Sequence, residues 1–365
     1  MSTQHFFLAL GLSLSFWNCD SDSGIKPEAQ PTEQSEKNTE NQTVETNKLK
    51  SIKGNTVVFY NVENLFDIYD DPKTFDDDFT PNGKLQWTAE RYNTKLNRLT
   101  EVFEKIPGDL PVIIGMAEVE NRDVLEDLIS KTNLKSGHYT ISHQESPDQR
   151  GIDVALIYRA DYLKKLNTEA LEVNLGNSRP TRDVLYTEFQ LADNQKLHTF
   201  VNHWPSRRSG QEASEHKRLA AAKVLRKKID QIQSEDPDAQ IVMMGDFNDY
   251  PTNKSITEVL DAGSSASNQF YNLALEMHQN ADQTKRASHS YKGDWGMLDQ
   301  MMVSQNLISD AKTSFQVKPK QFDVFYESFL LFQHPKYKTF QPNRTYAGPR
   351  YVNGYSDHLA IYLKL

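Results

Sequence analysis

Asn61, Glu118, His203, Asp246 with Asn248, Asp299, and Asp357 with His358 share one feature: each stands within or at the end of an apolar run. The runs are TVVFYNVENLFD, VIIGMAEVEN, LHTFVNHWPSR, QIVMMGDFNDYP, GMLDQMMVS and YSDHLAIYLKL. Apolar strands that deliver carboxylates, amides and imidazoles to their ends can build a site for a divalent cation beside a phosphate. A carboxylate inside a strand as apolar as GMLDQMMVS is costly to bury unless a cation or donor meets it, so Asp299 calls for a partner, and an imidazole would serve.

NVEN at 61–64, AEVE at 117–120, GDFN at 245–248 and the terminal SDH at 356–358 occur in an order that resembles the endonuclease/exonuclease/phosphatase superfamily. The resemblance spans roughly residues 52–365 and extends to pancreatic-type deoxyribonuclease, apurinic endonucleases, sphingomyelinases and inositol polyphosphate phosphatases. NVENLFD and NHWPSR are most similar to its bacterial extracellular nuclease branch. It implies an α/β fold, an αββα sandwich of two packed mixed sheets flanked by helices, with the site at one edge. It implies Mg2+ or Mn2+ at Asn61, Glu118 and Asp357. Asp246 and Asn248 would align the attacking water and the phosphate oxygens, and His203 and His358 would flank the scissile phosphate. Asp299 would stand behind the His358 imidazole, and Asp153 in GIDVALIYR is a candidate to orient His203.

Each position also has a plainer reading. Asp and Asn are common in turns after buried strands, a single histidine at a strand end is usually packed or solvated, and Glu63 is expected to be a solvated strand-end charge. Arg207 and Arg208, just after His203, are candidate phosphate contacts because a guanidinium grips two oxygens at once, although loop arginines are often merely solvated. The acidic loop 67–78 is a possible Ca2+ site but lacks EF-hand spacing, which favours an ordinary surface loop. The stretch 321–350, rich in Phe and Tyr with Arg344 and Arg350, is either cover for the sandwich edge or a stacking platform for bases.

The 365 residues carry a net charge of −9, and residues 1–50 hold seven acidic and four basic side chains, leaving −6 for the remainder. No basic footprint dominates, which weighs against tight non-specific DNA binding resting on many phosphate contacts. The single cysteine, Cys19, excludes an intramolecular disulfide and a Cys-based zinc site. It closes an apolar run from Phe6 to Trp17, of about the length of a signal-peptide core and too short to span a bilayer. This resembles a bacterial lipoprotein signal over residues 1–19 with Cys19 lipidated, although no Lys or Arg precedes the core and Trp17 and Asn18 replace the usual small residues. An ordinary secretion signal is the alternative. Residues 20–50 are too polar to offset chain entropy by burial and are expected to be a disordered tether, with the folded domain at 51–365.

Apolar patterning predicts strands at 56–61, 111–119, 151–159, 183–191, 196–203, 240–246, 297–303 and 358–364. Helices are predicted at 88–106, opening on Thr88 and Glu90, and at 211–234, with Leu219, Ala222, Leu225 and Ile229 at helical spacing. The expectation is a metal-dependent phosphoesterase: a monomeric nuclease for DNA or RNA, held at the cell envelope by lipid or else secreted. Hydrolysis of a lipid or inositol-phosphate headgroup is the second reading. A non-catalytic binding lipoprotein is the third, disfavoured because a binder has no need of two imidazoles and every carboxylate.

Overall fold

The computed structural model describes residues 48–365, apart from 285, 310–312 and 337. The signal-like run, Cys19 and all but the last three tether residues lie outside the described residues. Asn47–Leu365 is one compact unit, and its ordered start reaches back past residue 51, since the Lys50 backbone N–H and ammonium both bond to Asp161.

Two large sheets face each other. The first runs in the order β14 (Phe322–Val324), β19 (Ile361–Lys364), β1 (Thr56–Leu65), β2 (Ile113–Val119), β4 (Asp153–Arg159) and β3 (Tyr139–His143). The second runs β5 (Lys164–Leu171), β6 (Val184–Gln190), β7 (Lys196–His203), β8 (Gln240–Asp246), β13 (Asp299–Ser304), β10 (Phe270–Asn272) and β9 (Ala262–Gly263). Both share one plan. A parallel pair, β1/β2 in one and β7/β8 in the other, is joined through a helix, α1 (Ala89–Lys105) or α3 (Gln211–Glu235), and has antiparallel neighbours. A parallel connection needs such a crossover. Strands covered on both faces need apolar side chains on both, which is why β1 and β8 are nearly continuous apolar runs rather than alternating ones.

One core fills the space between the sheets and under α1, where Phe103 meets Tyr60 edge-on at 6.2 Å. A second lies between α3 and the other sheet, with Ala222, Leu225 and Ile229 against Tyr186, Phe200 and Met243. Met244 points the opposite way from Met243 and joins the first core, where Gly115 of β2 has no Cβ to obstruct its sulfur. Burial of Leu225 and Ile229 contributes roughly 2 kcal/mol each, so packing holds α3 more than its intrinsic propensity does. Thr88 caps α1 by accepting the Arg91 N–H, and Asn121 caps α2 (Arg122–Lys131) by accepting the Val124 N–H.

Register lines up the chemistry. His203 ends β7 beside Asp246 at the end of β8, and Asp246 pairs with Asp299 at the start of β13. In the other sheet Asn61 pairs with Ala117, and Glu118 follows in a bulge where the β1/β2 and β2/β4 registers both shift. Parallel strands therefore finish, and antiparallel ones begin, at one shared edge. The last strand starts at Ile361 rather than 358 because the backbone before it bonds elsewhere: the His358 N–H to Ser356 Oγ and the Leu359 N–H to the Ser288 carbonyl. The exposed edge strand β5 and the helix α2 go beyond the elements read from patterning; KKLNTEAL has no apolar alternation to find. The remaining elements include α4 (Leu275–Thr284), short single-turn helices and three hairpins: β11 (His289–Tyr291) with β12 (Asp294–Gly296), β15 (Leu331–Gln333) with β16 (Phe340–Pro342), and β17 (Tyr346–Ala347) with β18 (Arg350–Tyr351).

Gly245, just before Asp246, lies so close to β7 that a Cβ would meet the Asn202 carbonyl oxygen at 2.4 Å. Because that obstacle is backbone, Gly245→Ala is expected to lower unfolding free energy by about 1–3 kcal/mol in urea titrations, with unchanged far-UV circular dichroism.

Candidate active site

Asp246 is the hub. It is 2% exposed and accepts the Asn248 N–H on Oδ1 at 2.9 Å and the Asn61 side-chain amide on Oδ2 at 3.2 Å. His203 Nε2 is 3.6 Å and His358 Nε2 3.8 Å from the same Oδ2. The ligand atoms of Asp246, Asp299 and His358 all lie within 4.8 Å of one another. Glu118 reaches the group from β2, its Oε1 3.9 Å from His203 Nε2 and its Oε2 accepting the Asn64 N–H at 3.0 Å. Glu63, Asn64, Glu118 and Asn248 all have positive φ, between 49° and 66°. Non-glycine residues seldom adopt that conformation, and its gathering here aims side chains at one place.

The two imidazoles differ in charge. His358 Nδ1 bonds to Asp299 Oδ2 at 2.7 Å. Burial alone would depress its pKa, but Asp299 and Asp246 outweigh burial and hold it well above the ordinary histidine value, which favours the imidazolium form of His358. His203 is driven well below that value by burial, reinforced by the nearby Arg182 guanidinium, so it is neutral. Burial also raises the pKa of Asp246, against the pull of His358. His289 pairs with His358 across a β-bridge, its ring 4.8 Å away, and burial together with the His358 charge lowers it to about 4.

Asp357 faces a second cluster. Arg344 bridges it to Glu63, with Nη2 on Asp357 and Nε 3.2 Å from Glu63 Oε1, while Glu63 Oε2 accepts the Thr345 N–H at 2.6 Å. Glu63 is thus buried at 6% exposure and held from two sides, not the solvated strand-end charge its position suggests. Beneath it, Lys95 is 2% exposed and donates to Thr345 Oγ1 at 2.8 Å and to the Tyr355 carbonyl at 2.6 Å. Burial lowers Lys95 and raises Glu63. For Asp357, burial pushes upward, but His358 and Arg344 prevail and hold it below the usual carboxylate value.

Two expected roles change. Arg207 is no free phosphate contact: its guanidinium donates to the Asn248 carbonyl at 2.6 Å, to Asn253 at 3.0 Å and to Gln211 at 3.2 Å, and lies over Tyr250. It braces the GDFN loop from behind, joined by Asp249, whose buried carboxylate pairs with Arg218 of α3 at 2.6 Å. Arg208 is exposed and stays clear of that brace. Asp153 does not orient His203; it bonds His143 at 3.0 Å and the Ser146 hydroxyl and N–H, and His203 Nδ1 has no partner among the described residues.

Within the acidic loop, Asp67 caps the Tyr69 N–H, Asp71 the Lys73 N–H, and buried Asp76 the Asp71 N–H. These carboxylates organise their own turn. In the stretch 321–350, Phe322 and Phe325 join the core while Phe332 and Phe340 are exposed.

Patterning missed Lys95, Arg182, His289 and the Glu63–Arg344 pair. Lys95 had a signal, since it stands on the apolar stripe of α1 between Tyr92 and Leu96. Arg182, which bonds Asp148 at 2.9 Å and the Trp204 carbonyl at 2.8 Å, had none.

A divalent cation would find a hard oxygen at Glu118, whose Oε1 accepts no hydrogen bond among the described residues, and at Asp246, whereas Asn61 Oδ1 already accepts the Glu63 N–H at 3.0 Å and Asp357 Oδ2 takes the Arg344 guanidinium. A family model described as the endonuclease/exonuclease/phosphatase family matches residues 56–365. Among solved structures, a family protein of that name from Bacteroides thetaiotaomicron is 14% identical, with 85% of this chain and 96% of that one covered at a TM-score of 0.50. Truncated Caenorhabditis elegans TDP2 is 17% identical, with 87% and 100% covered at 0.51. At such identity these likenesses speak to the fold. No curated protein matches the chain.

Replacing Asp299 by Asn keeps the shape but removes the charge that holds His358 protonated. Phosphoesterase turnover is expected to fall about 10²–10⁴-fold, and the His358 titration followed by NMR to move down in pH. Glu120, 7% exposed, is raised by burial from 4.5 to about 8, with Asp67 and Asp76 adding to the rise. The folded state then keeps a proton that the unfolded chain releases, so this group erodes stability as pH climbs from 4.5 to about 8. Glu120→Gln should therefore be more stable than the parent at pH 8, by on the order of 2 kcal/mol, and lose that advantage near pH 4.5 in paired denaturant titrations.

Proposed function

The chain belongs to the endonuclease/exonuclease/phosphatase family, and we propose that it is a divalent-cation-dependent phosphodiesterase, an endonuclease acting on DNA or RNA outside the cytoplasm. The observation that carries this reading is the pair of imidazoles on one carboxylate. His203 and His358 stand 3.6 and 3.8 Å from Asp246 Oδ2, one neutral and one protonated. Groups whose environments push their protonation apart divide acid from base work.

In this reading Asp246 and neutral His203 accept the proton of the attacking water. His358, fixed through Nδ1 by Asp299, presents its Nε2 proton to the phosphate oxygens and delivers it to the departing oxygen. The Asn61 amide keeps Asp246 oriented, and Arg207 with the Trp204 carbonyl holds Asn248 in its loop. Mg2+ or Mn2+ held by Glu118, with Asn61 and Asp357 as further oxygen ligands, would stabilise the charge that grows on the phosphate oxygens.

A specific observation also favours hydrolysis of a lipid or inositol-phosphate headgroup. Beside the site lies a cavity of about 230 Å³ lined by Glu63, Asn64, Phe79, Leu85, Arg344 and Tyr346 among others, room for one compact group. The extracytoplasmic setting rests on the signal-like run ending at Cys19 and on the polar tether after it.

Plasmid DNA and RNA incubated with Mg2+, Mn2+ or chelator should be cut only when metal is present, and His203→Ala should lower the rate at least about 10²-fold. Intact polymers, with metal-dependent hydrolysis of a small phosphate ester that the variant lacks, would transfer the assignment to the second reading.

A further inference from the structure

On the His203 side of the site, the loop before β6 and the loop leading into α3 border an open cavity of about 420 Å³. Its lining includes Arg179, Arg182, Arg208 and Lys217, together with Thr181 and Ser206. No lining residue is acidic, and none of Arg179, Arg208 and Lys217 has an ion-pair partner among the described residues. In a chain of net charge −9, such a concentration of unneutralised positive charge needs a reason. Cations lining one cavity repel one another, a cost that an anion among them reduces.

The cavity wall is built and not merely populated. Arg182 is 6% exposed and fixed by Asp148 and by the Trp204 carbonyl, the same carbonyl that takes the Asn248 side-chain amide at 3.0 Å. Thr181 is 3% exposed, and both its hydroxyl and Arg182 Nε have no hydrogen-bond partner among the described residues. The cavity also adjoins the start of α3, a 25-residue helix whose N-terminal end favours negative charge. Through Trp204 the wall is tied directly to His203 and to the GDFN loop.

We propose that this cavity holds a second phosphate of the substrate, the backbone phosphate next to the one that is cut. The inference rests on the phosphodiesterase reading and narrows it to substrates bearing more than one phosphate, a polynucleotide before a simple headgroup ester. Arg179 from the loop before β6 and Lys217 from α3 supply charge, and Arg208 would make the phosphate contact that Arg207 cannot. Such contacts position the chain without reading its sequence.

The test is the double variant Arg179→Ala/Lys217→Ala beside the parent, with Mg2+, on a single-stranded oligonucleotide and on bis(p-nitrophenyl) phosphate, which has only one phosphate. KM for the oligonucleotide should rise about 10–100-fold and fall less steeply with decreasing salt, while kcat on it and kcat/KM on the small diester change less than about twofold. An unchanged oligonucleotide KM, or an equal loss on both substrates, would overturn the second-phosphate site and leave the phosphodiesterase reading standing. If the parent hydrolyses no nucleic acid, calorimetric titration with inorganic pyrophosphate decides separately. Binding that the double variant loses would keep the anion site, and absence of binding would remove it.

Discussion

Carboxylates buried side by side repel one another and forfeit hydration, and this molecule buries three of them, Asp246, Asp299 and Glu63, with half-buried Asp357 beside them, at one edge of its two sheets. The arrangement persists because each is met by a cation or a donor. The His358 imidazolium bonds Asp299 and faces Asp246, while Arg344 spans Glu63 and Asp357 with Lys95 buried below. Removal of one partner from such a network leaves an uncompensated buried charge, which costs several kcal/mol. The rest of the site inherits its geometry from that requirement, since the protonation of His358 and the orientation of Asp246 both follow from the charges around them.

Backbone and loop geometry serve the same end. Strand pairing puts His203, Asp246 and Asp299 in one row, but it cannot by itself turn Glu118 or Asn248 inward. The bulge at Glu118 and the positive φ angles at Glu63, Asn64, Glu118 and Asn248 do so. These conformations are unfavourable in isolation and survive because surrounding hydrogen bonds over-determine them. The Asn64 N–H on Glu118, the Thr345 N–H on Glu63 and the Arg207 guanidinium on the Asn248 carbonyl are such bonds. Arg207 shows how a basic residue four positions after His203 can support a neighbouring loop rather than stand free at the site.

The two-sheet plan explains why the site has two unlike sides. On the first sheet's side, Arg344 and Tyr346 border a compact cavity. On the second sheet's side, the loop into α3 presents Arg208 and α3 itself presents Lys217. A phosphate between the histidines would have cationic groups on both flanks, although the protein as a whole is negative. Local field, not net charge, governs what approaches such a site.

By itself the sequence determined the strand runs, the two long helices and the residues with chemistry at their ends, because apolar period and motif order are local properties that one chain displays directly. Lys95 was half legible, as a charge on an otherwise apolar helical stripe. The tertiary structure decided most of the partners. The pairing of Asp299 with His358, 59 positions apart, was expected from the family resemblance, but Glu63 and Arg344 are 281 positions apart, and no local pattern says which buried charge will meet which cation. Nor could it show that Asp153 belongs to His143, that Arg207 faces inward, or that Arg179, Arg208 and Lys217 converge on one cavity. Those outcomes depend on where loops from different strands come together in space, which is set by packing of the whole chain rather than by any segment of it.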